Sequence, residues 1–370
     1  MDERVAATIF LDRLEHNYKH IQALVGENRR VMAVVKADAY GHGAKQVGKT
    51  LYALGCRDFA VACLPEARDL SEAGIGGRIL ILGPTDVSHA GEIAGRGYIQ
   101  ACDGFGYARA LAAHGKIKVH IKVDTGMSRI GIYCHSESDV ARAADEIESI
   151  SKLENIEIDG IFTHFADSDG KDRAFTDKQF SAFTSLLDEL ERRGVKVGTR
   201  HCCNSAATIA FPEMRLDMVR AGIILYGLMP SEYVRDEEIL PCMKLSARVC
   251  AVHMLKKGDC VSYGCAYTAE RDTRVAVISV GYADGFSRVY SGKPLITING
   301  KRFATAGRIC MDMCMVDVGD HECAVGDEAV IFETPSDIDA LAEALGTINY
   351  EVLCSLKHRV KLIYNSKRQD

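Results

Sequence analysis

The chain has 370 residues, of which 47% are hydrophobic and 26% charged, values that exclude disordered, collagen-like and coiled-coil proteins. This length predicts two domains, or one large barrel with an appended domain. The net charge of −6 includes no long run of one sign, so we expect neither a nucleic-acid partner nor a membrane partner. The absence of a signal-like N terminus and of any apolar run of membrane-spanning length predicts a cytoplasmic protein.

The fourteen cysteines are scattered, and no pair has the C-x-x-C spacing of common metal and redox sites. Because a chain of this size needs no disulfide framework, the sequence predicts reduced, mostly buried thiols. The segment His201-Cys202-Cys203 and the pair Cys310 and Cys314 carry metal-binding side chains. Neither has the second matching pair of a zinc site, so we expect no metal ion.

The first two thirds of the chain alternate short apolar segments with amphipathic ones. The apolar segments cover residues 31–36, 59–64, 78–83, 99–102, 119–124, 158–164, 199–204 and 218–223. A helical period between them is clearest over 174–193. Apolar strands separated by helices predict a parallel sheet, and eight of them predict a closed (β/α)8 TIM-type barrel. An open doubly wound sheet is the alternative.

The last third has the pattern of a mainly β domain. Strand-like segments cover residues 245–255, 273–284, 294–307 and 328–333, and one helix is expected near 337–346. Asn299-Gly300, between alternating apolar residues, predicts a hairpin turn. We therefore predict an α/β barrel over residues 10–234 and a mainly β domain over 235–370, with residues 1–9 as a further candidate strand of the second domain.

Polar and ionisable residues repeatedly follow the predicted barrel strands, at the end where barrels of this kind carry their active sites. They are Lys36, Lys122, Asp124, His164, Asn204, Ser205, Arg220 and Gly222. Lys36 is the most informative because it directly follows the apolar run VMAVV. Burial lowers the pKa of a lysine and makes its neutral amine available for imine formation. A lysine that simply extends to solvent is the alternative.

The segment AVVKADAYGHG (33–43) resembles the lysine motif of alanine racemases, which are pyridoxal phosphate enzymes built from a barrel and a β domain. Eight further segments match that family in order and spacing. They are KVDTGMSRIGI (122–132), FTHFADSD (162–169), CNSAAT (203–208), VRAGIILYG (219–227), VSYGCAYTA (261–269), VGYADG (280–285), GRICMDMCMVDV (307–318) and TINYEVLCSL (347–356). One such motif would be weak evidence for a family, whereas nine motifs in the same order are highly specific evidence.

The resemblance implies an isomerase that interconverts L- and D-alanine, an activity of cell-wall biosynthesis, and that works as a homodimer with active sites shared between subunits. It implies that Lys36 binds the cofactor and serves one face of the substrate. Tyr263 of the partner subunit would serve the other face, since racemisation needs acid–base groups on opposite faces. An ordinary tyrosine titrates near pH 10, so cations such as Arg129, or His164, would have to lie nearby.

Further roles follow from the resemblance. Arg220 matches the arginine that faces the pyridine nitrogen of the cofactor. The remaining cofactor-binding candidates, mostly for the phosphate, are Tyr40, His164, Asn204, Ser205, Gly222, Ile223 and Tyr350. Arg129 matches an arginine near the substrate carboxylate, and Lys122 matches a lysine that is often carbamylated to hold that arginine. Met311 matches a backbone donor to the carboxylate from the partner subunit, and Tyr282 matches a gate at the entrance.

One departure from the family lies near the C terminus, where Arg359-Val360-Lys361-Leu362 replaces the usual R-V-P-R. We expect its effect in the packing of the tail or in the subunit interface.

Parts of the sequence are compatible with four other functions. Residues 43–50 fit the phosphate-loop pattern of nucleotide hydrolases, but the spacing of Ala44, Val47 and Leu51 predicts that they lie inside a helix, which a phosphate loop does not allow. Non-catalytic pyridoxal phosphate carriers lack the β domain that this sequence predicts, which argues against that function. Related decarboxylases need an acidic residue at position 220. A racemase of serine, or one of broad specificity, would use the same mechanism and is the main alternative.

Overall fold

The computed structural model describes residues 4–366, which form an eight-stranded parallel barrel followed by a mainly β unit. The strands are β1 (Val5–Phe10), β2 (Arg30–Val34), β3 (Asp58–Val61), β4 (Arg78–Ile81), β5 (Ile99–Cys102), β6 (Ile117–Asp124), β7 (Ile132–Tyr133), β8 (Ile156–Phe162), β9 (Thr199–His201), β10 (Met218–Ala221), β11 (Met243–Leu255), β12 (Cys260–Val261), β13 (Tyr267–Thr268), β14 (Thr273–Ile278), β15 (Pro294–Ile298), β16 (Lys301–Ala304), β17 (Cys314–Asp317), β18 (Glu328–Phe332) and β19 (Lys361–Asn365).

Helices cover the barrel and one part of the second unit. They are α1 (Leu11–Val25), α2 (Lys36–Tyr40), α3 (Ala44–Ala53), α4 (Leu64–Glu72), α5 (Ala90–Arg96), α6 (Phe105–Ala112), α7 (Glu137–Ser151), α8 (Ala174–Arg192), α9 (Ser205–Ala210), α10 (Pro335–Leu345) and α11 (Asn349–Cys354). Over residues 4–366, none of the helices combines the length and the apolar character needed to cross a lipid bilayer.

The barrel strands run in the order β10-β2-β3-β4-β5-β6-β8-β9, and each neighbouring pair in this order is parallel. Hydrogen bonds from the Asp217 amide to the Arg200 carbonyl (3.1 Å) and from the Arg220 amide to the Cys203 carbonyl (3.0 Å) link β10 back to the β9 segment. These bonds nearly close the sheet on itself. The predicted barrel is therefore confirmed, and the open doubly wound sheet is excluded.

The long helix predicted over 174–193 is confirmed as α8. Its inner face is formed by Phe183, Leu186, Leu187 and Leu190, all buried. Burial of each such side chain contributes roughly 1.5–3 kcal/mol, which fixes the helix against the barrel. Phe175, which the helical period also assigned to this face, is exposed because it lies at the start of the helix, next to the Gly126 loop.

The second unit is built on an eight-stranded sheet whose central path is β16-β15-β18-β11-β1-β19, with β14 and β17 attached through β11. Strand β1 pairs antiparallel with β11 and parallel with β19, so the first and the last strand of the described residues lie in this sheet. Its buried residues are continuous with those of the barrel in one apolar core. The domain boundary at residues 234 and 235 stays a prediction.

The Asn299-Gly300 hairpin is confirmed. Asn299 and Gly300 have φ angles of 45° and 77°, and they join the antiparallel strands β15 and β16. Two positive φ angles in a two-residue loop match the right-handed twist of the strands it connects. The expected strand 273–284, in contrast, stops at Ile278, because residues Tyr282–Asp284 form a separate helical turn. Strands β12, β13, β17 and β19 were not predicted.

Helix α3 and the cysteines bear on two other expectations. Lys49 and Thr50 lie inside α3, whose buried face includes Val47 and Leu51, so the phosphate-loop interpretation fails as predicted. All fourteen cysteines are free, but seven are buried and four are exposed. The expectation of mostly buried thiols is therefore only half right, because Cys250, Cys260, Cys265 and Cys354 lie at the surface or in an open cavity.

The turn after β2 has unusual backbone geometry. Ala37, Asp38, Ala39 and Tyr40 have φ angles between 51° and 55°, so α2 is a single left-handed turn built without glycine. The left-handed conformation costs an L-residue roughly 1–2 kcal/mol. Two side chains hold the turn: a Glu66 carboxylate oxygen accepts the Ala37 amide at 2.7 Å, and Asp38 accepts the Ala44 amide at 2.7 Å. Strain of this kind is typical of functional sites.

We predict that Ala37→Gly raises the free energy of unfolding by about 0.5–1 kcal/mol, because glycine adopts the left-handed conformation without steric cost, although it gains entropy in the unfolded chain. Ala113→Gly is the matched control, since Ala113 is exposed and has a right-handed φ of −69°. This control should lower stability by about 0.5–1 kcal/mol. Urea denaturation of both variants is the measurement, and equal losses of stability would contradict strain in the turn.

Candidate active site

A cavity of about 780 Å³ opens at the carboxyl ends of the barrel strands. It gathers most of the site residues predicted from the sequence. These are Lys36, Tyr40, Lys122, Arg129, His164, Asn204, Ser205, Arg220, Gly222 and Tyr350. Since they come from strand ends spread between residues 36 and 222 and from a helix of the second unit, the barrel closure is what brings them together.

The cavity has an excess of positive charge. Four of its lining residues are basic, namely Lys36, Lys122, Arg129 and Arg220, and two are acidic, namely Asp169 and Glu351. Apolar walls around a group of like charges concentrate the electrostatic field. The cavity is therefore suited to a ligand that carries negative groups.

Lys36 is half-buried at the first position of α2 and lines the cavity. Burial lowers its pKa below the usual value for a lysine, and the nearby positive charge of Arg129 lowers it further. Glu66 and the Cys354 thiol act in the opposite direction with smaller effect. The neutral amine of Lys36 is thus easier to reach near neutral pH than that of an exposed lysine.

Lys122 is almost fully buried on β6, with 2% of its surface exposed. Burial lowers its pKa to about 7; Asp124 opposes this shift, while Arg220 and Arg129 add to it. Its Nζ donates a hydrogen bond to the Val123 carbonyl at 2.5 Å and lies 5.7 Å from the centre of the Phe162 ring. The neutral amine of Lys122 is therefore much more accessible near neutral pH than that of an exposed lysine.

The loop after β6 carries Arg129 and is held back against its own strand. Asp124 accepts the amides of Gly126 (3.1 Å) and Ser128 (2.9 Å). Gly131 ends the loop with a φ of 124°, and a Cβ there would lie 2.8 Å from the Lys122 carbonyl oxygen. Only glycine allows this close approach, so the loop is fixed at both ends and presents Arg129 to the cavity.

Arg220, on β10, is 4% exposed and makes four hydrogen bonds through its two terminal nitrogens. Nη1 donates to Nδ1 of His201 at 2.9 Å, and Nη2 donates to the carbonyls of Thr163 (2.9 Å) and Cys202 (3.0 Å) and to Nδ1 of His164 (3.2 Å). Burial lowers its pKa to about 10, so it remains charged at neutral pH. Among residues 4–366, Nε has no acceptor.

His164 is kept neutral by its surroundings. Burial lowers its pKa well below the usual value, and the positive charges of Arg220, Arg129 and Lys122 add to this effect. Because Arg220 can only donate, Nδ1 of His164 must act as an acceptor. The imidazole therefore enters the cavity as a neutral group.

The opposite side of the cavity combines a helix start with a glycine. Asn204 caps α9 by accepting the Ala207 amide at 3.0 Å, and the Gly222 amide donates to the Ser205 hydroxyl at 3.0 Å. A Cβ on Gly222 would lie 2.8 Å from the Tyr40 hydroxyl oxygen. The glycine thus leaves a polar recess bounded by hydroxyls and amides, the set of donors that a phosphate prefers.

Tyr40 and Tyr350 close this recess, with ring centres 6.0 Å apart. Burial raises the pKa of both phenols, so both are protonated donors at neutral pH. Ile223 is fully buried at the start of the helical turn Ile223–Tyr226. Its side chain does not line the cavity, so any contribution from Ile223 would come from its backbone.

Three predicted site residues lie elsewhere in the single chain. Tyr263, Tyr282 and Met311 are in the second unit and are 68%, 39% and 52% exposed. None of them lines the cavity. They lie near one another because the Tyr282 amide donates to the Cys310 carbonyl at 3.1 Å, and the Ser262 hydroxyl donates to the Arg308 carbonyl at 2.5 Å.

Together with Met313, which is 44% exposed, these residues form a surface patch that we call the Tyr–Met patch (Tyr263, Tyr282, Met311, Met313). Buried Asp284 supports two of its three segments: it accepts the Gly281 amide at 2.9 Å and forms ion pairs with Arg359 (2.9 Å) and with Arg4, which also donates to the Asp312 carbonyl at 3.0 Å. Arg359 also pairs with Asp312 at 2.7 Å. The unusual C-terminal segment therefore begins with a residue that supports the patch, and continues as β19 beside β1.

Several contacts in the site were not anticipated from the sequence. Glu66 binds the left-handed turn, and Cys354 lines the cavity close to Lys36. His201 was considered as a metal ligand, but it accepts a hydrogen bond from Arg220. The alternation of His120 with Lys122 and Asp124 along β6 was a usable signal, because residues two apart share one face of a strand.

The cysteines beside His201 have ordinary partners. The thiols of Cys202 and Cys203 donate to the Met214 carbonyl at 3.0 and 3.2 Å. Within residues 4–366, no three histidine, cysteine or acidic side chains are grouped so that they could bind a metal ion.

Comparisons with known proteins match nearly the whole chain to one family. The family model "Alanine racemase, N-terminal domain" matches residues 9–230, and "Alanine racemase, C-terminal domain" matches residues 242–364. A curated alanine racemase of Desulforamulus reducens is 43% identical over 98% of this chain and 100% of that protein. One from Methanococcus maripaludis is 41% identical over 97% of this chain and 98% of that protein.

Solved structures that resemble this chain are also alanine racemases. The alanine racemase of Clostridium difficile 630 has a TM-score of 0.93 at 37% identity, covering 99% of this chain and 97% of that one. The alanine racemase of Bacillus anthracis with bound L-Ala-P has a TM-score of 0.91 at 30% identity, covering 100% of this chain and 97% of that one. With both family models matched in order and relatives above 40% identity over nearly the full length, the chain belongs to the alanine racemase family.

Proposed function

We propose that this protein interconverts L- and D-alanine with pyridoxal phosphate, as a homodimer in which each active site is completed by the partner subunit. One observation carries the proposal: a cavity lined by cations contains a lysine, Lys36, whose neutral amine is favoured by burial and by Arg129. An amine of this kind can bind an aldehyde and can also accept and return a proton.

The residues present fit pyridoxal phosphate. The recess between Ser205, Gly222 and Tyr40, with Asn204, the Ile223 amide and Tyr350 beside it, supplies donors for a phosphate. Lys36 supplies the amine for the aldehyde. When bound, pyridoxal phosphate supplies an electron sink that stabilises the negative charge left at the substrate Cα after deprotonation.

Arg220 would lie at the ring nitrogen of the cofactor, with the neutral His164 beside it. Its Nη1 and Nη2 both donate to protein acceptors, whereas Nε has no acceptor among residues 4–366 and is available to a ligand in the cavity. A guanidinium with a pKa of about 10 donates a hydrogen bond but rarely gives up its proton at neutral pH. This limits how much negative charge the ring takes up, and so favours return of the proton to Cα over other reactions.

Racemisation needs one acid–base group on each face of Cα. Lys36 serves one face from within the barrel. For the other face we propose Tyr263 of a partner subunit, because Tyr263 is 68% exposed in the Tyr–Met patch and does not line the cavity of its own chain. Docking of that patch over the cavity of a second copy would place the partner's Tyr263 beside Arg129 and Arg220, whose positive charge a phenolate requires.

The substrate carboxylate has two proposed donors. Arg129 is exposed within the cavity, and the Met311 amide has no acceptor among residues 4–366. Lys122, once converted to a carbamate, would place a negative charge close to Arg129 and hold its guanidinium. Tyr282, exposed beside Met311, would gate the entrance from the partner side.

The alternative substrates are not favoured by the comparisons, whose relatives are named for alanine. A pocket that distinguishes a methyl from a hydroxymethyl group gains only about 1–3 kcal/mol, so serine must be tested directly. Related decarboxylases would need an acidic residue where this chain has Arg220, so decarboxylation is not the function we propose.

We predict that the purified protein, supplied with pyridoxal phosphate, converts L-alanine to D-alanine faster than it converts L-serine to D-serine. Chiral chromatography of both reactions is the measurement. Lys36→Ala should lose at least about 10³-fold in kcat, because both the cofactor amine and one acid–base group are removed. If the wild-type protein leaves both amino acids optically pure, the proposed function is wrong.

We predict that Lys36→Ala and Tyr263→Phe chains, each inactive alone, regain activity when mixed, because a mixed dimer contains one site with both residues. A purified mixed dimer should have about half the wild-type kcat. Tyr233→Phe is the control, since Tyr233 is 56% exposed and lies outside the Tyr–Met patch, and this variant should be fully active. A mixed dimer no more active than either parent would exclude shared sites.

We predict that Lys122 reacts with carbon dioxide, because a carbamate forms from the neutral amine and the pKa of Lys122 is lowered to about 7. With ¹³C-bicarbonate, a carbamate signal in the ¹³C spectrum should grow as pH rises through about 7, where the neutral fraction increases. Lys122→Arg should abolish the signal, while Lys19→Arg, a change at an exposed lysine, should keep it. An unchanged signal in Lys122→Arg would rule out this modification.

A further inference from the structure

A row of hydrogen-bonded side chains crosses the inside of the barrel below the cavity. Arg220 donates to Nδ1 of His201 at 2.9 Å, Nε2 of His201 lies 2.9 Å from Nδ1 of His120, and Nε2 of His120 lies 3.3 Å from a carboxylate oxygen of Asp159. Arg220 belongs to the cavity end of the barrel. Asp159 lies toward the amino ends of the strands, where Arg78, the first residue of β4, pairs with it at 2.9 Å.

The chemistry of the two ends determines the direction of every hydrogen bond. Arginine can only donate, so Nδ1 of His201 carries no proton, and in the neutral ring the proton is on Nε2. That proton points to Nδ1 of His120, which must therefore accept. The proton of His120 is then on Nε2 and is donated to Asp159. Both histidines are thus held in the same tautomer, with no choice left at either ring.

The surroundings favour the neutral form of both rings. Burial lowers the pKa of His201 well below its usual value, and Arg220, Arg30 and Arg78 add to the shift. Burial also lowers the pKa of His120, although Asp159 and Asp58 oppose this and Arg78 supports it.

The carboxylate at the end of the row remains ionised. The hydrogen bond from His120 lowers the pKa of Asp159, and the charges of Arg78 and Lys118 lower it further. The row therefore has a cation, Arg220, at one end and an anion, Asp159, at the other, with two neutral imidazoles between them.

The row is also fixed sterically. Both imidazoles are fully buried, and the His201 ring stacks on Phe162 with ring centres 4.9 Å apart and planes 6° from parallel. The His120 ring lies against Gly160, where a Cβ would be 2.6 Å from Nε2 of His120. Residue 160 must therefore lack a side chain for the second imidazole to fit.

We propose that His120 and Asp159 are positioning residues for Arg220: they lock His201 in the tautomer that accepts from Nη1, and so keep Nε of the guanidinium directed to the cavity. This inference rests on the proposed function for its effect on catalysis. The tautomers themselves are a property of the chain alone.

The first test reads the tautomers directly. Long-range ¹H–¹⁵N spectra of histidine-labelled protein, recorded with and without pyridoxal phosphate, should show His120 and His201 protonated at Nε2 and not at Nδ1. Neither ring should titrate between about pH 7 and pH 9, because burial disfavours both imidazolium forms. Signals are assigned by their loss in His120→Leu. A proton on Nδ1 of either ring, or titration of either ring in that range, would overturn the proposal.

The second test uses matched variants of the holoenzyme. His120→Leu removes the acceptor for His201, and we expect kcat for L-alanine to fall by about 10- to 100-fold, as when outer partners that orient metal-binding histidines are removed. KM should change by less than about threefold, since no direct substrate contact is lost. The absorption band of the bound cofactor should shift, because its ring nitrogen would face a less fixed donor.

Two further variants separate positioning from general stability. His120→Asn, whose side-chain oxygen can accept in place of Nδ1, should recover most of the lost kcat and the wild-type absorption band. Leu186→Ala, in the core of α8, should lower the thermal midpoint without changing the absorption band or kcat.

Each outcome has a distinct meaning. If His120→Leu lowers only the thermal midpoint, as Leu186→Ala does, the positioning role is wrong. The role is also wrong if His120→Asn folds but does not recover kcat. A wild-type protein without racemase activity would instead contradict the proposed function, and the tautomer spectra would still test the row. If His120→Leu does not fold, Gly160→Ala, which displaces the same ring, must reproduce the loss of kcat for the proposal to stand.

Discussion

The site depends on positive charge held where water is largely excluded. Arg220 is buried among two carbonyls and two neutral imidazoles, so its charge is hydrogen-bonded but is paired with no carboxylate of residues 4–366. A buried charge without a counter-ion raises the cost of every further cation nearby. Burial is the main cause of the lowered pKa values of Lys122 and His164, and the charge of Arg220 lowers both further. A phosphate and a carboxylate brought by ligands would supply the missing negative charge.

Rigid backbone features give this electrostatic arrangement a definite geometry. The left-handed turn that follows Lys36 is strained, and it persists because Glu66 and Asp38 bind its amides. The loop that carries Arg129 is similarly fixed by Asp124 and by the close approach at Gly131. Unfavourable backbone conformation at such places persists only when the surrounding structure stabilises it. Each basic group is therefore presented from a fixed support, which limits reorganisation when a ligand binds.

The barrel half of the proposed site and the Tyr–Met patch differ in burial and in how they are held. The barrel half is buried and gathers residues from many strands, whereas the Tyr–Met patch is exposed and is held by one buried carboxylate, Asp284. Since Arg4 and Arg359 bind that carboxylate, residues more than 350 positions apart in sequence support the patch together. Activity is thereby linked to the folding of the second unit and, through the proposed dimer, to subunit association.

Local patterns in the sequence were sufficient for the barrel, for the hairpin at Asn299-Gly300 and for a lysine at a strand end, because strand and helix periods and turn chemistry act over a few residues. The tertiary structure decided what no local pattern encodes. Residues 37–40 include no glycine, so their left-handed turn depends on Glu66, a distant residue. Likewise, His120, Asp159 and His201 meet only because the sheet closes on itself. Closure brings together side chains far apart in sequence, and their protonation then follows from burial and from the partners that each one finds.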